Sequence, residues 1–267
     1  MRRVFFCLCA AFLVALCQFP AAARAGAWTD PAGQGEVIVT TFFEKASQSY
    51  DQAGRLVPTP LYVNRQASAL IDYGVADWLM LIAKPTWQVA NLGSPVTQHY
   101  NGLGDSEIGA QARVWAQDST VFSVQADLRL PNFSGSSFAW LRDADHMDFE
   151  GRALLGQGFD LDGLPGFVDV QAAYRLRGGP APNEWRGDLT LGLYVRPDIM
   201  LMLQSFNIVS AASHDPCYPH WAQSKLQASL VYQFSRAWRV QLGGFTTVAG
   251  RDAPLENGLL LALWRQF

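Results

Sequence analysis

Three side chains of metal-binding types lie close together between residues 214 and 220. His214, Cys217 and His220 are spaced three residues apart, and imidazole and thiolate are ligands suited to zinc or copper. Two prolines, Pro216 and Pro219, stiffen the same stretch. Most stretches of this kind are polar loops that hold no ion. We therefore predict no metal and no other cofactor, and keep these three side chains as the candidate ligands.

A nucleophilic catalytic site would need a histidine that activates a serine, threonine or cysteine. His99, His146, His214 and His220 all fall in predicted loops. None matches the His-Ser pair of outer-membrane phospholipase A, a barrel of similar size. Ser213 precedes His214, which leaves a lipid-acting enzyme as an alternative. We predict no catalytic residues and a protein that is not an enzyme.

Charged side chains recur at alternate positions along much of the chain. Between residues 105 and 114, Asp105, Glu107 and Arg113 alternate with apolar residues such as Ile108 and Val114. Successive side chains of a β-strand point to opposite faces, so these charges share one face. We predict that such faces line a pore, with Asp105, Glu107, Arg113, Asp127, Arg129, Asp169, Arg175, Asp188 and Arg239 pointing inward. Their mixed signs favour either a hydrophilic pore or cross-strand ion pairs that fill it.

The elements that would position these charges are strands throughout. Most predicted strands have about ten residues, the length that a tilted strand needs to cross a membrane. Twelve segments alternate in this way: 36–45, 63–73, 78–88, 104–115, 120–130, 152–161, 166–176, 186–195, 199–210, 222–234, 238–248 and 256–267. The sequence therefore predicts an all-β protein, a transmembrane antiparallel up-and-down β-barrel of about 12 strands.

The connections between these strands alternate strictly between short and long. The short ones are 74–77, 116–119, 162–165, 196–198 and 235–237, and the long ones are 46–62, 89–103, 131–151, 177–185, 211–221 and 249–255. Outer-membrane barrels have short periplasmic turns and longer extracellular loops. We therefore expect both termini on the periplasmic side and an even number of strands.

Aromatic residues border both kinds of connection. Tyr73, Trp78, Trp115, Tyr194, Phe234 and Trp238 flank the short turns, and Tyr50, Tyr62, Trp87, Tyr100, Trp185 and Trp221 flank the long loops. Two membrane interfaces favour two belts of amphipathic rings. The pattern predicts a barrel that contacts outer-membrane lipid.

The last strand ends on an aromatic residue, Phe267, with Leu259, Leu261 and Leu263 on the same face. This ending resembles the C-terminal strand signal by which outer-membrane barrels engage the barrel-assembly machinery. Arg265 departs from the apolar residue usual two places before the end. We name this machinery as an expected partner.

The first 25 residues have the three-part layout of a secretory signal peptide. Arg2 and Arg3 precede an apolar run, and Ala23 and Ala25 supply the small residues that a signal peptidase requires. We predict cleavage after Ala25, so that residues 1–25 are the signal peptide and residues 26–267 the outer-membrane β-barrel. Of the four cysteines only Cys217 would remain, which excludes an internal disulfide.

The composition excludes two further classes of protein. After residue 25, no segment has 18 consecutive apolar residues, which excludes a helical membrane protein. The net charge is −3 and basic residues are scattered, so no basic stripe for nucleic acid is present. Charged residues are 16% of the chain, below the roughly 25% of typical globular proteins.

One segment carries a family resemblance. Gly102-Leu103-Gly104-Asp105, followed by an amphipathic strand, resembles the Gly-Leu-Gly-Asp segment of the barrel family catalogued as "MetA-pathway of phenol degradation". The fifth strand is followed by Leu130-Pro131-Asn132-Phe133 where that family would have Leu-Pro-Thr-Gly. The resemblance implies passage of small aromatic or apolar compounds and brings no catalytic residues.

Together these features predict a bacterial outer-membrane barrel that acts as a passive channel or uptake protein for a small-molecule solute. The alternatives are a structural or binding barrel without an open pore and a lipid-acting outer-membrane enzyme.

Overall fold

The computed structural model describes residues 26–95, 97–131, 146–212 and 219–267. Strands joined by turns make up this part of the chain. It contains no helix long and apolar enough to cross a membrane. The positions 214 and 217, and most of the connection 131–151, lie outside the described residues.

The strands follow one another around a single antiparallel sheet. Their bounds are β1 Gly35–Tyr50, β2 Leu56–Ala76, β3 Leu79–Lys84, β4 Thr86–Leu92, β5 Gln98–Leu103, β6 Ser106–Gln117, β7 Thr120–Leu130, β8 Asp148–Leu161, β9 Leu164–Leu176, β10 Glu184–Arg196, β11 Ile199–Ser210, β12 Ala222–Gln233, β13 Trp238–Arg251, β14 Ala253–Pro254 and β15 Asn257–Gln266. Residue 85 is a proline, which has no N–H to donate, and it separates β3 from β4. Both halves pair with β2, so they form one wall strand, and β5 with β6 forms the next.

The sheet closes on itself between its first and last strands. β1 pairs with β2 on one side and with β15 on the other, over Glu36 to Lys45. The seam ends where the Gly35 and Phe267 backbones donate a hydrogen bond to each other, each 2.9 Å long. The result is a closed antiparallel barrel of 12 strands, which confirms the predicted fold class and strand number.

Strands extend further beyond the predicted bounds at one rim than at the other. β1 and β2 reach Tyr50 and Leu56, so the connection predicted as 46–62 shrinks to a turn. In this turn the Asp51 carboxylate accepts hydrogen bonds from the backbone N–H groups of Ala53 and Arg55. The Arg55 N–H, followed by its guanidinium and the Ala53 N–H, lowers the pKa of Asp51. Local hydrogen bonding therefore lets this hairpin continue where composition alone predicted a loop.

The outward face is apolar around most of the ring. Leu259, Leu261 and Leu263 alternate outward on β15, as predicted, and are largely exposed on the isolated chain. Arg265 places its guanidinium over the Trp238 ring, 4.9 Å from the ring centroid. Stacking on that ring accounts for a basic residue at this outward position.

The inward face is polar on only part of the ring. The expectation that polar residues occupy the inward positions of every strand was wrong. Leu260, Ala262 and Trp264 point inward from β15 and are buried, as are Met200 and Met202 of β11. On these strands both faces are apolar, so alternation of polarity could not reveal the lumen side.

The predicted aromatic belts are correct only in part. Trp78, Trp87 and Trp185 are more than half exposed and point outward. Tyr194 and Tyr100 are instead buried inside the barrel. Each of these two stands at an inward position of its strand, since its neighbours in the register are inward residues too.

Residues 26–29, ahead of β1, lie inside the barrel. The Thr29 hydroxyl donates to the Asp77 carbonyl oxygen at 2.8 Å, and the Gly33 N–H donates to the Gly74 carbonyl oxygen at 2.8 Å. These bonds fix the chain at the short-turn rim. From there it runs into the lumen, where Ala27 is fully buried. We call residues 26–34 the inner segment.

Candidate functional site: a lumen with two unlike walls

One wall of the lumen is a chain of ion pairs that crosses strands β6 to β10. Arg129 bridges Asp105 and Asp148, at 2.7 Å to each carboxylate. Asp148 continues to Arg177 at 3.0 Å, and Arg177 continues to Glu184 at 2.5 Å. Consecutive wall strands therefore contribute alternating signs. Such pairing replaces hydration for charges that face the inside of a membrane protein.

A second branch of the same network centres on Glu150 of β8. Its carboxylate contacts Arg152 at 2.6 Å, Arg175 at 2.8 Å and Arg186 at 3.2 Å. Arg175 also reaches Glu107 at 2.5 Å. Glu150 is 3% exposed. Among the described residues it is the buried carboxylate of this wall that contacts the most arginines, three in all.

The structure brings five of the predicted pore-lining residues into this network and leaves four outside it. Asp105, Glu107, Arg129, Arg175 and Asp188 belong to it, with Asp188 2.6 Å from Arg152. Arg113, Asp127, Asp169 and Arg239 stand at other inward positions, and Arg239 pairs with Glu36 at 3.3 Å. All nine stand at positions that alternate with outward residues in the register, and their role in lining a pore stays a prediction.

Sequence reasoning missed several members of the network. These are Lys84, Asp148, Glu150, Arg152, Arg177, Glu184 and Arg186. Asp148 and Glu150 were predicted to lie in the 131–151 loop, but they are inward residues of β8. The alternation of Asp148, Glu150 and Arg152 with Phe149 and Gly151 was the signal that could have found them.

The apolar wall of the lumen lies toward its short-turn end. Phe167, Met200, Met202, Val231 and Trp264 belong to one buried cluster contributed by β9, β11, β12 and β15, and each stands near the short-turn end of its strand. The Trp264 indole N–H donates to Gln241 Oε1 at 3.2 Å. The ion pairs instead stand toward the long-loop ends of β6 to β10, so the charged wall and the apolar wall lie at different heights of one lumen.

The inner segment docks in the short-turn half of the lumen. Ala27 donates its N–H to Asp169 Oδ2 at 2.7 Å and accepts from Ser123 Oγ at 2.5 Å. Gln111 donates to the Gly26 carbonyl oxygen at 2.9 Å. Backbone groups of the segment are therefore satisfied by side chains of three different wall strands, as buried backbone groups must be.

Trp28 fills the lumen beside the apolar cluster. Its ring meets the Phe167 ring edge-on, with centroids 5.8 Å apart. A Cβ added to Gly156 would lie 2.5 Å from the Trp28 ring, so a glycine is what leaves room for the indole. The inner segment consequently narrows the barrel at the half that holds the short turns.

The candidate metal ligands are not tested as a set, because His214 and Cys217 lie outside the described residues. His220 is described, and its Nδ1 lies 3.2 Å from Ser210 Oγ. In the part of the chain that the structure covers, no group of three or more His, Cys, Asp or Glu side chains could hold a metal ion.

Comparison with solved structures shows the same kind of fold in bacterial outer-membrane proteins. The COG4313 outer membrane channel from Pseudomonas putida F1 superposes with a TM-score of 0.71 and 13% identity, over 91% of this chain and 98% of that one. The β domain of the Bordetella autotransporter BrkA gives 0.51 and 11%, over 87% and 99%. The translocator domain of NalP from Neisseria meningitidis gives 0.50 and 12%, over 87% and 88%. No family model and no curated protein sequence matches the chain.

Proposed function

We propose that the protein is a bacterial outer-membrane barrel that takes up small molecules with an aromatic or apolar body. The observation that carries this proposal is a lumen that has an ion-pair wall toward its long-loop end and an apolar wall toward its short-turn end. The apolar wall around Met202 and Trp264 offers contact area for a hydrocarbon or ring. The ion-pair wall around Glu150 offers donors and acceptors for a polar end.

Fold similarity supports the same role. The Pseudomonas putida protein with the TM-score of 0.71 is an outer membrane channel. The predicted signal peptide supports export, with cleavage after Ala25. The terminal Phe267, paired with Gly35 at the barrel seam, supports assembly through the C-terminal strand. Location in the outer membrane and recognition by the barrel-assembly machinery are parts of this proposal.

Uptake of a fluorescent apolar probe by intact cells tests the proposal. Cells that express the barrel should take up N-phenylnaphthylamine faster than cells without it. Met202→Glu places a charge in the apolar wall and should reduce the rate several-fold, because an unpaired buried charge is costly and repels an apolar solute. Met202→Leu is the matched control and should keep the rate. Equal rates for the barrel and for both variants, at equal amounts of folded protein, would contradict the proposal.

A binding barrel without an open pore is the second candidate, and the position of Trp28 in the lumen favours it. In that case the probe should bind the purified barrel, with Met202→Glu weakening binding, while cells show no faster uptake. The third alternative, a lipid-acting enzyme, depends on Ser213 and His214, which lie outside the described residues, and no contact in the structure favours it.

A further inference from the structure

A groove crosses the outer wall toward the long-loop end of the barrel. It encloses a cavity of about 960 Å³ and runs over β2, β1, β15, β13, β12 and β11. Outward side chains form its edges, among them Phe43, Leu203 and Leu259, each at least half exposed. Ala228 and Gly244 form a floor of small residues. An apolar channel of this size on the wall fits an acyl chain.

Two basic residues stand at one end of this groove. Lys45 of β1 pairs in register with Val63, and Phe43 pairs with Arg65 of β2. The two basic residues are therefore diagonal neighbours on adjacent strands, about 7–8 Å apart between Cα atoms. Both are exposed and point outward. This spacing lets both side chains reach one phosphate group.

No acidic side chain on the strands that form the groove competes for these two cations. On the strands that form the groove, the acidic residues Glu36, Glu44 and Asp72 point inward. Among the described residues neither Lys45 nor Arg65 has a carboxylate within ion-pair distance. Beside them, the Thr246 hydroxyl donates to Asn257 Oδ1. Hydroxyl and amide groups at this height add further hydrogen-bonding capacity.

An aromatic residue marks the height of the basic pair in the membrane. Trp87 of β4 is 52% exposed, points outward and pairs in register with Ala67, two residues from Arg65. Its indole N–H donates to Asn101 Oδ1 at 2.9 Å. Exposed tryptophans with a polar partner concentrate at the membrane interface. The basic pair thus lies at the level of lipid headgroups.

We propose that this groove binds a phosphorylated glycolipid of the outer leaflet. The phosphate lies between Lys45 and Arg65, and an acyl chain follows the floor over Ala228 and Gly244. Placing the lipid in the outer leaflet rests on the predicted orientation, with long loops outside. The proposal is independent of what the lumen transports.

Native mass spectrometry of the full barrel released from mixed micelles tests it. With diphosphorylated lipid A as the probe, Lys45→Gln/Arg65→Gln should lower occupancy roughly ten-fold, because each basic residue near headgroups adds attraction. Arg265→Gln, an outward arginine at the other rim, should leave it unchanged. Occupancy equal to that of dephosphorylated lipid A would overturn the phosphate site. Preference for phosphatidylglycerol would overturn the choice of the outer-leaflet lipid.

A second inference comes from a buried carboxylate inside the barrel. Asp169 is 1% exposed, and its carboxylate accepts hydrogen bonds from the Ala27 N–H at 2.7 Å and from Gln171 Nε2 at 2.5 Å. No lysine or arginine of the described residues lies within ion-pair distance of it. Arg152 is committed to Glu150 and Asp188. A buried carboxylate without a positively charged partner is unfavourable, so a cation close to Asp169 would stabilise it.

Gly26 places a backbone nitrogen close to that carboxylate. A Cβ added to Gly26 would lie 2.2 Å from Asp169 Cγ. Because N and Cβ share the same Cα, standard bond lengths put the Gly26 nitrogen within about 5 Å of the carboxylate. Its φ of +95° suits glycine, and an added side chain would collide with Asp169.

We infer that the α-ammonium group released by cleavage after Ala25 binds Asp169 and holds the inner segment in the lumen. Peptide-bond hydrolysis supplies this cation, so an uncleaved chain would lack it. The inference rests on the predicted signal peptide. Asp169 is a positioning residue in this account, since it acts through the inner segment.

Labelling with an amine-reactive ester tests the inference on the exported, folded barrel. Intact mass first shows whether the chain begins at Gly26, and any other start would overturn the inference. The α-amine should then react several-fold more slowly than the α-amine of the free peptide Gly-Ala-Trp, and denaturation should remove the difference. Asp169→Asn should remove it in the folded barrel, whereas Asp160→Asn near the end of β8 should not. An α-amine that reacts in the native protein as fast as that of the free peptide would overturn the inference without any variant.

Discussion

Deletion of residues 27–32 is expected to raise the single-channel conductance of the refolded barrel by roughly three-fold or more, because pore width governs conduction. The deletion removes Trp28 from its contacts with Phe167 and the Gly156 backbone. It leaves β1 intact, since that strand begins at Gly35. Planar-bilayer recordings give the conductance directly.

Point variants distinguish an opened lumen from a damaged barrel. Trp28→Ala should raise the conductance in the same direction, while Trp28→Phe keeps an aromatic ring against Phe167 and should leave it near the original value. Gly156→Val should displace the indole and so change the conductance. Gly151→Val lies at an outward position of the same strand, with no neighbour near its added Cβ, and should leave the conductance unchanged. Unchanged conductance in the deletion variant would contradict an inner segment that narrows the lumen.

Glu150→Gln is expected to lower the free energy of unfolding by about 3 kcal/mol, the lower range for removing one partner of a buried ion pair. The substitution keeps the shape of the side chain but leaves Arg152, Arg175 and Arg186 with one carboxylate fewer. Denaturant titration of the lipid-refolded barrel measures the loss.

The matched control is Asp198→Asn in the β10–β11 turn. Asp198 pairs with Arg196 at 3.2 Å, and both side chains are at least one-third exposed. Exposed pairs contribute about 0–1 kcal/mol, so this variant should stay close to the original stability. If Glu150→Gln costs no more than Asp198→Asn, the ion-pair wall does not stabilise the barrel.

The barrel could be predicted from the sequence because two patterns agreed along most of the chain: polar and apolar residues alternate within the strands, and short and long connections alternate between them. On β6 and β7, charged and apolar residues alternate so regularly that the inward positions of Glu107, Asp127 and Arg129 follow directly. Closure followed from the unpaired edges that an open sheet would present to lipid. These arguments use only local pattern and the chemistry of the membrane.

The lumen could be predicted only in part, because what fills it depends on tertiary contacts between residues far apart in the sequence. Leu260, Ala262 and Trp264 are apolar on a strand whose outward residues are apolar too, so polarity could not separate the two faces. The inner segment has no periodic pattern, and its position depends on hydrogen bonds between Ala27 and the side chains of Ser123 and Asp169, which are 96 and 142 residues away in the sequence. Pairing of the predicted charges likewise depends on the register between strands.

The most direct test of a lumen occupied by the inner segment is a disulfide between Gly26→Cys and Asp169→Cys. An added Cβ at position 26 falls 2.2 Å from Asp169 Cγ, and that atom is one C–C bond of about 1.5 Å from Asp169 Cβ. The two Cβ atoms are therefore no more than about 3.7 Å apart, close enough for a disulfide, which joins Cβ atoms about 3.5–4.5 Å apart. In a Cys217→Ser background, the exported barrel should form this bond, seen as loss of free thiols and a peptide cross-linked by mass spectrometry. Gly26→Cys paired with Asp160→Cys should stay reduced. Free thiols in both pairs would show that residues 26–34 do not enter the lumen and would contradict the account.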